Sequence, residues 1–253
     1  DISAIAFDKT GTLTRGKPVV TDVYFNQDVT KKTQRQYETI IVSMENKSNH
    51  PLANAIVDYF SKVIPEKMEV ENVIGVGLVG TFKDETYKIG KPTSVTDVPD
   101  DIKKQTEQLE YNGKTVVYFS HNDRVVGLIA IQDVPKETSK EAIHYFKDEG
   151  IHTIMITGDA ERTGHAIGRP LELDAVRGNV LPEEKAEIIT ELKEEYPVMA
   201  MLGDGVNDAP ALAKADIGIA MGGGGTDVAL ETADVALMGD DLNKLPYTIG
   251  LSR

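Results

Sequence analysis

The stretch that decides the fold is Asp8-Lys9-Thr10-Gly11-Thr12-Leu13-Thr14, which follows a largely apolar run at residues 2–7. The run predicts a buried strand that delivers Asp8 to its carboxyl end, where open α/β sheets bind their ligands. Gly11 permits a sharp turn, and the N–H groups of such a turn point toward whatever Asp8 holds. Enzyme carboxylates form covalent aspartyl-phosphates, so Asp8 is a candidate nucleophile for phosphoryl transfer. The alternative is an Asp that only caps the junction between strand and turn.

Two later stretches also place acidic turns after predicted strands. They are Thr157-Gly158-Asp159 and Gly203-Asp204-Gly205-Val206-Asn207-Asp208. Parallel strands have their carboxyl ends at one edge of a sheet, so we expect both turns to converge with Asp8. Mg²⁺ takes a few carboxylates together with waters and phosphate oxygens, and Asp8, Asp204 and the carbonyl of Thr10 would suffice. An Asp is also a common N-cap, which is an equally good interpretation of Asp204 alone, but the joint pattern favours a shared site.

Three other residues of these stretches suit a transferred phosphoryl group. Thr157 would offer a hydroxyl and Gly158 an amide to its oxygens. Lys185, near the start of a predicted helix at residues 183–195, would add a positive charge there. The sequence therefore predicts a phosphoryl-transfer site at one edge of a parallel sheet.

Composition limits the possible partners. The 253 residues carry a formal net charge of −14, which argues against nucleic acid as the main partner. This charge does not exclude ATP, because local amides, lysines and Mg²⁺ can carry its phosphates. The sequence contains no cysteine, so disulfides and thiolate metal ligands are excluded within it.

No stretch of this sequence predicts a membrane span. The longest run without Asp, Glu, Lys or Arg is the 11 residues from Asn72 to Phe82, whereas a spanning helix needs about 20 apolar residues. The first residues also lack the pattern of a signal peptide. Because the candidate nucleophile lies only seven residues from the first residue, we expect a soluble loop cut from a longer membrane protein.

The order of predicted elements divides the chain into two parts. From residue 133 onward strands and helices alternate, which predicts a parallel, doubly wound sheet. Residues 17–132 instead predict helices and paired antiparallel strands. We therefore expect an α/β fold in which a Rossmann-like domain, residues 1–16 and 133–253, is interrupted by an α+β domain, residues 17–132. The elements predicted in the insertion are helices at 31–46, 51–61 and 100–110 and strands at 73–82, 86–89, 115–120 and 124–131.

The heptad at residues 8–14 resembles the phosphorylation motif of the P-type ATPases, membrane pumps whose catalytic core belongs to the haloacid dehalogenase-like (HAD) superfamily. The resemblance implies that Asp8 takes the γ-phosphate of ATP. Thr10 stands where phosphatases of the superfamily usually carry a second Asp that acts as a general acid and base. A Thr hydroxyl cannot do that proton transfer near neutral pH, so we expect a long-lived phosphoenzyme, which suits a pump.

Three later motifs resemble those of the same pumps and occur in the same order. They are Thr157-Gly158-Asp159, Leu181-Pro182-Glu183-Glu184-Lys185 and the segment from Gly203 to Pro210. The resemblance implies that Asp204 binds Mg²⁺ with support from Asn207 and Asp208, and that Lys185 binds the phosphoryl group. It also implies that the turn from Thr157 to Asp159 meets a dephosphorylating actuator domain of the full-length protein.

The insertion resembles the nucleotide-binding domain of the heavy-metal subclass of these pumps. The resemblance rests on Ser48-Asn49-His50-Pro51-Leu52-Ala53 followed by Gly75-Val76-Gly77. It implies that His50 stacks near adenine and that Gly75 and Gly77 let the backbone approach ATP. Taken alone, a His-Pro pair is usually a helix start and a GxG a tight turn. The residues carried over to the nucleotide site are Lys9, Asn49, His50, Gly75, Gly77 and Gly90.

Three residues depart from the pattern of the subclass. Asn49 stands where an acid is usual, although its carbonyl can still accept a hydrogen bond from an adenine amino group. Lys91 follows Gly90 where Asn or Ser is commoner, and its ammonium could reach phosphate instead. Lys136 replaces the usual Arg of an Asp-x-x-Arg motif, which keeps the charge but loses the bidentate fork.

Together these resemblances imply the catalytic part of an ATP-driven heavy-metal cation pump, on the cytosolic face of a membrane. We expect ATP and Mg²⁺ as cofactors, with the metal cation bound in transmembrane helices that this sequence lacks. The tail, residues 222–238, looks more like that of the zinc, cadmium and cobalt pumps than that of the copper pumps. The alternatives are a free-standing HAD phosphatase and a non-catalytic nucleotide-binding regulator.

Overall fold

The structure, a computed structural model, describes residues 1–203, 208–221 and 235–237. The chain divides into two compact units: Asp1–Lys17 with Val134–Arg253, here called the core unit, and Pro18–Asp133, here called the inserted unit. The core unit is thus built from two separate segments of chain. The assignment of phosphorylation to the core unit and of nucleotide binding to the inserted unit stays a prediction.

The helices and strands of the described residues follow one another as the chain runs through both units. In chain order they are β1 (Ala4–Asp8), β2 (Val19–Phe25), α1 (Lys31–Glu45), α2 (Pro51–Tyr59), β3 (Glu69–Val73), β4 (Gly77–Phe82), β5 (Glu85–Gly90), α3 (Asp100–Tyr111), β6 (Thr115–His121), β7 (Arg124–Gln132), α4 (Ser139–Asp148), β8 (His152–Ile156), α5 (Glu161–Leu171), β9 (Ala175–Arg177), α6 (Lys185–Glu195), β10 (Met199–Gly203), α7 (Ala209–Lys214), β11 (Ile217–Met221) and β12 (Val235–Leu237). Within the described ranges, none of the helices is long and apolar enough to cross a membrane.

The described strands of the core unit form one parallel sheet in the order β12-β11-β10-β1-β8-β9. The first strand of the chain therefore lies in the middle of the sheet, between β8 and β10. Asp8 is level with Ile156 of β8, and Phe7 is level with Leu202 of β10. The carboxyl ends of these three strands consequently lie side by side at one edge of the sheet.

Alternate residues of β1 pack into two different layers, because successive side chains of a strand point to opposite faces. Ile5 and Phe7 join the apolar cluster formed with α4 and α5, where the rings of Phe7 and Phe146 lie 5.9 Å apart. Ala4 and Ala6 join the cluster formed with α6 and α7. All five residues of β1 are buried, as a strand covered by helices on both faces requires.

The inserted unit, whose residues 18–133 are all described, contains one antiparallel sheet in the order β2-β7-β6-β5-β4-β3. Alternate residues of β6 and β7 supply two separate apolar clusters, which lie on opposite faces of the sheet. One cluster includes Tyr37 and Ile41 of α1 and Ile56 of α2. The other includes Ile102 and Leu109 of α3.

The expected fold class is confirmed: a parallel α/β sheet with helices and an inserted α+β part with an antiparallel sheet. The prediction of one strand at residues 73–82 is wrong. β3 ends at Val73 and β4 begins at Gly77, and the chain turns between them at Gly75, whose φ is +82°. Ile74 and Val76 are as apolar as the strands on either side, so the hydrophobic pattern runs through the turn. The hydrophobic pattern also predicts no strand at β2, at β9 or over most of β3.

Candidate active site

The site begins at the end of β1, where the chain leaves the sheet in a tight turn. Gly11 has a φ of +76°, which lets the chain reverse between Lys9 and Leu13. Thr14 closes the turn, because its N–H and its hydroxyl both donate to the carbonyl of Lys9, at 3.1 and 3.2 Å. The Thr14 hydroxyl also accepts from the N–H of Gly11 at 3.2 Å. The residues of the heptad therefore fix the turn that follows Asp8.

A second segment of the core unit holds this turn from the outside. The N–H of Lys136 and the hydroxyl of Ser139 both donate to the carbonyl of Leu13, at 2.8 and 2.7 Å. Both residues are buried. Sequence reasoning noted Lys136 only for its charge and did not consider Ser139, since a bond between residues 126 positions apart leaves no local signal.

Lys185 joins the end of β1 to Asp208, which precedes α7. Its ammonium donates to Oδ1 of Asp8 and to Oδ1 of Asp208, at 2.9 Å in each case. The exposed fraction of the side chain is 13% for Lys185, 10% for Asp8 and 2% for Asp208. Three motifs that are far apart in the sequence thus meet at one nearly buried cation.

The charge of Lys185 is held by its two carboxylate partners. Burial alone would lower the pKa of Lys185, because it penalises the charged form. The attraction of Asp8 and Asp208, together with their hydrogen bonds, outweighs burial and holds the pKa of Lys185 above its usual value. Lys185 is therefore a permanent positive charge beside the candidate nucleophile.

Gly203 determines where Asp208 lies, and sequence reasoning missed this role. A methyl group at Gly203 would lie 2.6 Å from Oδ2 and 2.8 Å from Cβ of Asp208. The last residue of β10 must therefore lack a side chain if Asp208 is to reach Lys185. The available signal was the glycine that directly precedes Asp204.

The turn after β8 brings Thr157 and Asp159 to the same edge of the sheet. Thr157 is buried, and its hydroxyl accepts from the N–H of Asp159 at 3.1 Å. Asp159 also forms an ion pair with Lys9, with 2.5 Å between Nζ and Oδ2. This ion pair ties the turn after β1 to the turn after β8 and gives Lys9 a structural partner. The predicted contact of Lys9 with nucleotide stays a prediction.

The predicted Mg²⁺ ligands are described only in part, because Asp204 and Asn207 lie outside the described residues. Asp8, Asp208 and the carbonyl of Thr10 are described, and they offer the oxygen donors that Mg²⁺ prefers. Two carboxylates around one ammonium leave a net charge of about −1, which a divalent cation would offset. The described ranges themselves contain no group of three His, Cys, Asp or Glu side chains that could hold a metal ion. The described donors thus fit Mg²⁺, with Asp204 needed for a third carboxylate.

His50 starts α2 in the inserted unit. Its Nδ1 accepts from the N–H of Leu52 at 3.2 Å, and Pro51 occupies the first helical position. His50 is exposed, yet part of its ring is shielded from water. This desolvation is the larger cause that lowers the pKa of His50, and the positive charge of Lys91 is the smaller one. The lowered pKa favours the neutral ring, which also suits a helix start, because the helix dipole disfavours a cation there.

The glycines predicted to approach ATP serve two different purposes in the structure. Gly75 has a positive φ, and a Cβ there would meet nothing within 4 Å, so its surface is open to a ligand. A Cβ at Gly77 would lie 2.2 Å from the carbonyl oxygen of Ile89, and one at Gly90 would lie 2.0 Å from that of Val76. Gly77 and Gly90 are thus required where β4 meets the end of β5. Their contact with ATP stays a prediction.

Gly77→Ala should destabilise the inserted unit, because the new methyl group would collide with the backbone of β5. The φ of +113° adds strain of roughly 1–3 kcal/mol for any residue with a Cβ. Gly75→Ala is the matched control, since its φ is also positive but its surroundings are open. Thermal unfolding followed by circular dichroism should show a clearly larger loss for Gly77→Ala. Equal losses in the two variants would contradict the close contact between β4 and β5.

The structure brings the predicted glycines of the nucleotide site together. The loop of Gly75–Gly77 contacts the end of β5 at Gly90, and Lys91, the next residue, is close enough to His50 to affect its charge. We call Gly75–Gly77, Gly90, Lys91 and His50 the glycine–histidine surface. Asn49 precedes His50 and is exposed.

Glu45, the last residue of α1, is a polar group that sequence reasoning missed. Its residue surface is 6% exposed, and burial raises the pKa of its carboxyl to about 7. The backbone carbonyl of Glu45 accepts a hydrogen bond from the N–H of Ser48 at 3.0 Å, in the segment that leads to His50. The available signal was spacing, because Glu45 lies four residues after Ile41 on the apolar face of α1. At neutral pH this carboxyl can donate as well as accept a hydrogen bond.

A comparison with known families identifies the fold. The model of the haloacid dehalogenase-like hydrolases matches residues 2–216. The chain belongs to this hydrolase family. The match covers the whole inserted unit and residues 2–17 and 134–216 of the core unit, which confirms the superfamily predicted from the heptad at residues 8–14.

This haloacid dehalogenase-like hydrolase has metal-transporting P-type ATPases among its relatives. A probable cadmium-transporting ATPase of Listeria monocytogenes is 41% identical over 263 residues, which cover 100% of this chain and 37% of the relative. A copper-exporting P-type ATPase of Staphylococcus haemolyticus is 42% identical over 257 residues, which cover 99% of this chain and 31% of the relative. The solved catalytic domain of the CPx-ATPase CopB-B has a TM-score of 0.76 at 30% identity.

The predicted kinship with the heavy-metal P-type ATPases is confirmed by these relatives. The chain spans only about a third of the curated relatives it matches. In contrast, the match with the solved catalytic domain covers 98% of this chain and 89% of that domain. The hydrolase described here therefore corresponds to the catalytic domain of such ATPases.

Proposed function

We propose that this chain is the ATP-binding and phosphorylated part of a heavy-metal P-type ATPase. The observation that carries the proposal is the meeting of Asp8, Lys185 and Asp208 at the carboxyl edge of the parallel sheet. A carboxylate beside a permanent positive charge is well placed to attack a phosphoryl group, because the charge stabilises the negative oxygens of the transition state.

The reaction is a transfer of the γ-phosphoryl group from ATP to Asp8. A carboxylate oxygen of Asp8 attacks the γ-phosphorus in line, the bond from that phosphorus to the bridging oxygen breaks, and ADP leaves with the bridging oxygen. Lys185 balances the charge that spreads over the oxygens of the transferred group. Thr157 and Gly158, on the neighbouring turn, are the proposed donors to those oxygens.

Mg²⁺ and ATP are the proposed cofactors of this reaction. Asp8, Asp208 and the carbonyl of Thr10 would hold Mg²⁺ together with Asp204, and the ion would neutralise phosphate charge during transfer. The open surface at Gly75 and the neutral ring of His50 support ATP binding by the inserted unit. The catalytic domain of the relative CopB-B changes conformation upon nucleotide binding.

The phosphoenzyme should persist, because Thr10 stands where a general acid and base would promote its hydrolysis. Thr10 is exposed. Its hydroxyl does not act as a general base near neutral pH, so it cannot activate a water molecule for this hydrolysis. We propose that hydrolysis is completed by an actuator domain of the full-length protein, which the turn from Thr157 to Asp159 would meet.

The wider proposal is that phosphorylation drives a heavy-metal cation across a membrane, with this chain on the cytosolic face. The cation would bind in transmembrane helices of the full-length protein. We propose that the cation is a divalent ion such as zinc, cadmium or cobalt rather than copper. The sequence of the tail and the similarity to a cadmium-transporting relative support this choice. The tail lies mostly outside the described residues, and the copper-exporting relative is equally similar in overall identity.

Phosphorylation itself tests the proposal and separates the alternatives. Incubation with γ-labelled ATP and Mg²⁺ should label the chain with phosphate that survives acid and is released by hydroxylamine, as an acyl phosphate is. Removal of Mg²⁺ with a chelator should abolish the label. A free-standing phosphatase would release phosphate without accumulating the label. A non-catalytic regulator would bind ATP without any transfer.

His50→Asn should weaken ATP binding by about tenfold or more while keeping α2 capped. Asn is a good N-cap residue, so the substitution removes only the ring. Stacking on a base contributes about 1–3 kcal/mol, and about 1.4 kcal/mol is tenfold in affinity. Isothermal titration with ATP measures the loss. His50→Ala, which removes ring and cap together, should bind equally weakly but unfold at a lower temperature. Unchanged affinity in His50→Asn would make His50 a helix-start residue only.

A further inference from the structure

Ser139 is the first residue of α4, and its hydroxyl reaches back to the turn that follows Asp8. The side chain is buried, and its hydroxyl donates to the carbonyl of Leu13 at 2.7 Å. The helix that carries Ser139 is fixed on the sheet, because Phe146 of α4 packs against Phe7, which directly precedes Asp8 in β1. The serine that holds the turn and the strand that carries the nucleophile therefore share one apolar cluster.

One peptide unit passes this contact on toward the candidate nucleophile. The carbonyl of Leu13 and the N–H of Thr14 belong to the same planar peptide unit, so a bond that fixes one of them also fixes the other. The N–H of Thr14 donates to the carbonyl of Lys9 at 3.1 Å, and that carbonyl shares its own peptide unit with the N–H of Thr10. Hydrogen bonds that follow one another in this way also polarise each other. The buried hydroxyl thus begins a chain of bonds that ends at the backbone directly after the nucleophile.

Both chain connections to the inserted unit start close to this turn. The N–H of Arg15 donates to the carbonyl of Val134 at 2.9 Å, and Thr14 forms an isolated β-bridge with Pro135. The inserted unit, residues 18–133, begins and ends beside this pairing. Motion of either connection therefore acts on residues that are bonded to the catalytic turn. The bond from the buried serine ties the turn to α4 instead, and so holds it in place against such motion.

We propose that Ser139 is a positioning residue for phosphoryl transfer to Asp8, because its hydroxyl holds the turn between Lys9 and Leu13 in the geometry that transfer requires. This inference rests on the proposed function and deepens it, since it names a residue that acts on the reaction without touching the reacting atoms. A displacement of about 1 Å, caused by a change far from the chemistry, can lower a rate about a hundredfold. One buried hydrogen bond at the base of the turn is therefore enough to affect the reaction.

The test compares Ser139→Ala with two other variants. Ser139→Cys is similar in size to serine but is only a weak donor, so it separates the hydrogen bond from the packing. Ser3→Ala is the matched control, because Ser3 lies just before the opposite end of β1 and also joins distant segments of the core unit. Its hydroxyl donates to the carbonyl of Val198 at 2.8 Å and accepts from the N–H of Val198 at 2.9 Å. Phosphorylation by γ-labelled ATP, thermal unfolding and hydrogen exchange of the Thr14 amide by NMR are measured for each form.

We expect both Ser139 variants to be phosphorylated about threefold to tenfold more slowly than the unaltered chain at saturating ATP. The loss is that of one neutral hydrogen bond, since the N–H of Lys136 still holds the carbonyl of Leu13. The ATP concentration that gives half of the maximal rate should not change, because the inserted unit is unaltered. The amide of Thr14 should exchange faster in both variants. Ser3→Ala should unfold at a lower temperature and yet be phosphorylated at the normal rate.

Several results would overturn the inference. If Ser139→Ala is phosphorylated normally, or if Ser3→Ala is slowed to the same extent, the bond is only structural, while phosphorylation of Asp8 still stands. If Ser139→Cys behaves as the unaltered chain does, packing and not the hydrogen bond is responsible. Unchanged exchange of the Thr14 amide would mean that the contact is not passed on toward Asp8. If the unaltered chain is not labelled at all, the proposed function fails and the role of Ser139 fails with it.

Discussion

Asp8→Asn should abolish the hydroxylamine-sensitive phosphoenzyme while leaving ATP affinity within about twofold of the unaltered chain. The amide oxygen of Asn has the shape of a carboxylate oxygen and can still accept from Lys185, but it carries no charge and does not attack phosphorus. Loss of a nucleophile lowers the reaction rate by at least about a thousandfold in well-studied enzymes. Binding should survive, because the proposed nucleotide residues other than Lys9 belong to the inserted unit, which has its own core.

Two further variants make this result specific. Asp148→Asn carries out the same chemical change at an exposed position at the end of α4 and should be phosphorylated normally. Asp8→Ala should be as inactive as Asp8→Asn, whatever its stability. Accumulation of acid-stable, hydroxylamine-sensitive phosphate on both Asp8 variants would mean that another side chain is the nucleophile.

Lys185→Met should impair both the chemistry and the stability of the core unit. The substitution leaves the carboxylates of Asp8 and Asp208 facing one another, nearly buried and without a counter-charge. Removal of one partner from a buried ion pair costs about 3–5 kcal/mol. Loss of a positive charge beside the developing oxyanion should lower the phosphorylation rate at saturating ATP by about a hundredfold to a thousandfold. Urea unfolding and quenched phosphorylation measure the two effects separately.

A second substitution separates the stability effect from the chemical effect. Asp208→Asn, added to Lys185→Met, removes one of the two facing charges and should recover part of the lost stability. It should not recover phosphorylation, because the cation beside Asp8 is still missing. Lys185→Arg keeps the charge and should retain more of both properties than Lys185→Met. If Lys185→Met is as stable as the unaltered chain, the network of three side chains does not exist as described.

The convergence of Asp8, Thr157 and Asp208 could be predicted from the sequence because it follows from the geometry of a parallel sheet. Once β1, β8 and β10 are identified as neighbouring parallel strands, their carboxyl ends must lie together, whatever the packing in detail. The position of Lys185 could be predicted as well, because the sequence predicts a helix at residues 183–195 with Lys185 near its start. Asp204 and Asn207, which belong to the same prediction, lie outside the described residues.

Contacts that depend on how closely two segments approach could not be predicted in this way. The ion pair of Lys9 with Asp159 and the burial of Glu45 depend on side chains that meet only after folding. The need for glycine at position 77 arises from a carbonyl of β5, which no pattern near residue 77 reveals. Spacing in the sequence shows which face a residue occupies, but not what lies opposite that face.

The central place of β1 in its sheet also has a consequence for the order in which the chain folds as it is synthesised. Ribosomes add about 5–20 residues per second, so the strand that ends at Asp8 emerges well before its neighbours, which begin at His152 and Met199. The inserted unit is continuous in sequence, and its outer strands β2 and β7 pair from Val19 to Gln132, so its sheet can close as soon as Gln132 has emerged. We therefore expect the inserted unit to fold first, and Asp8 to take up its final surroundings only when β10 joins the sheet.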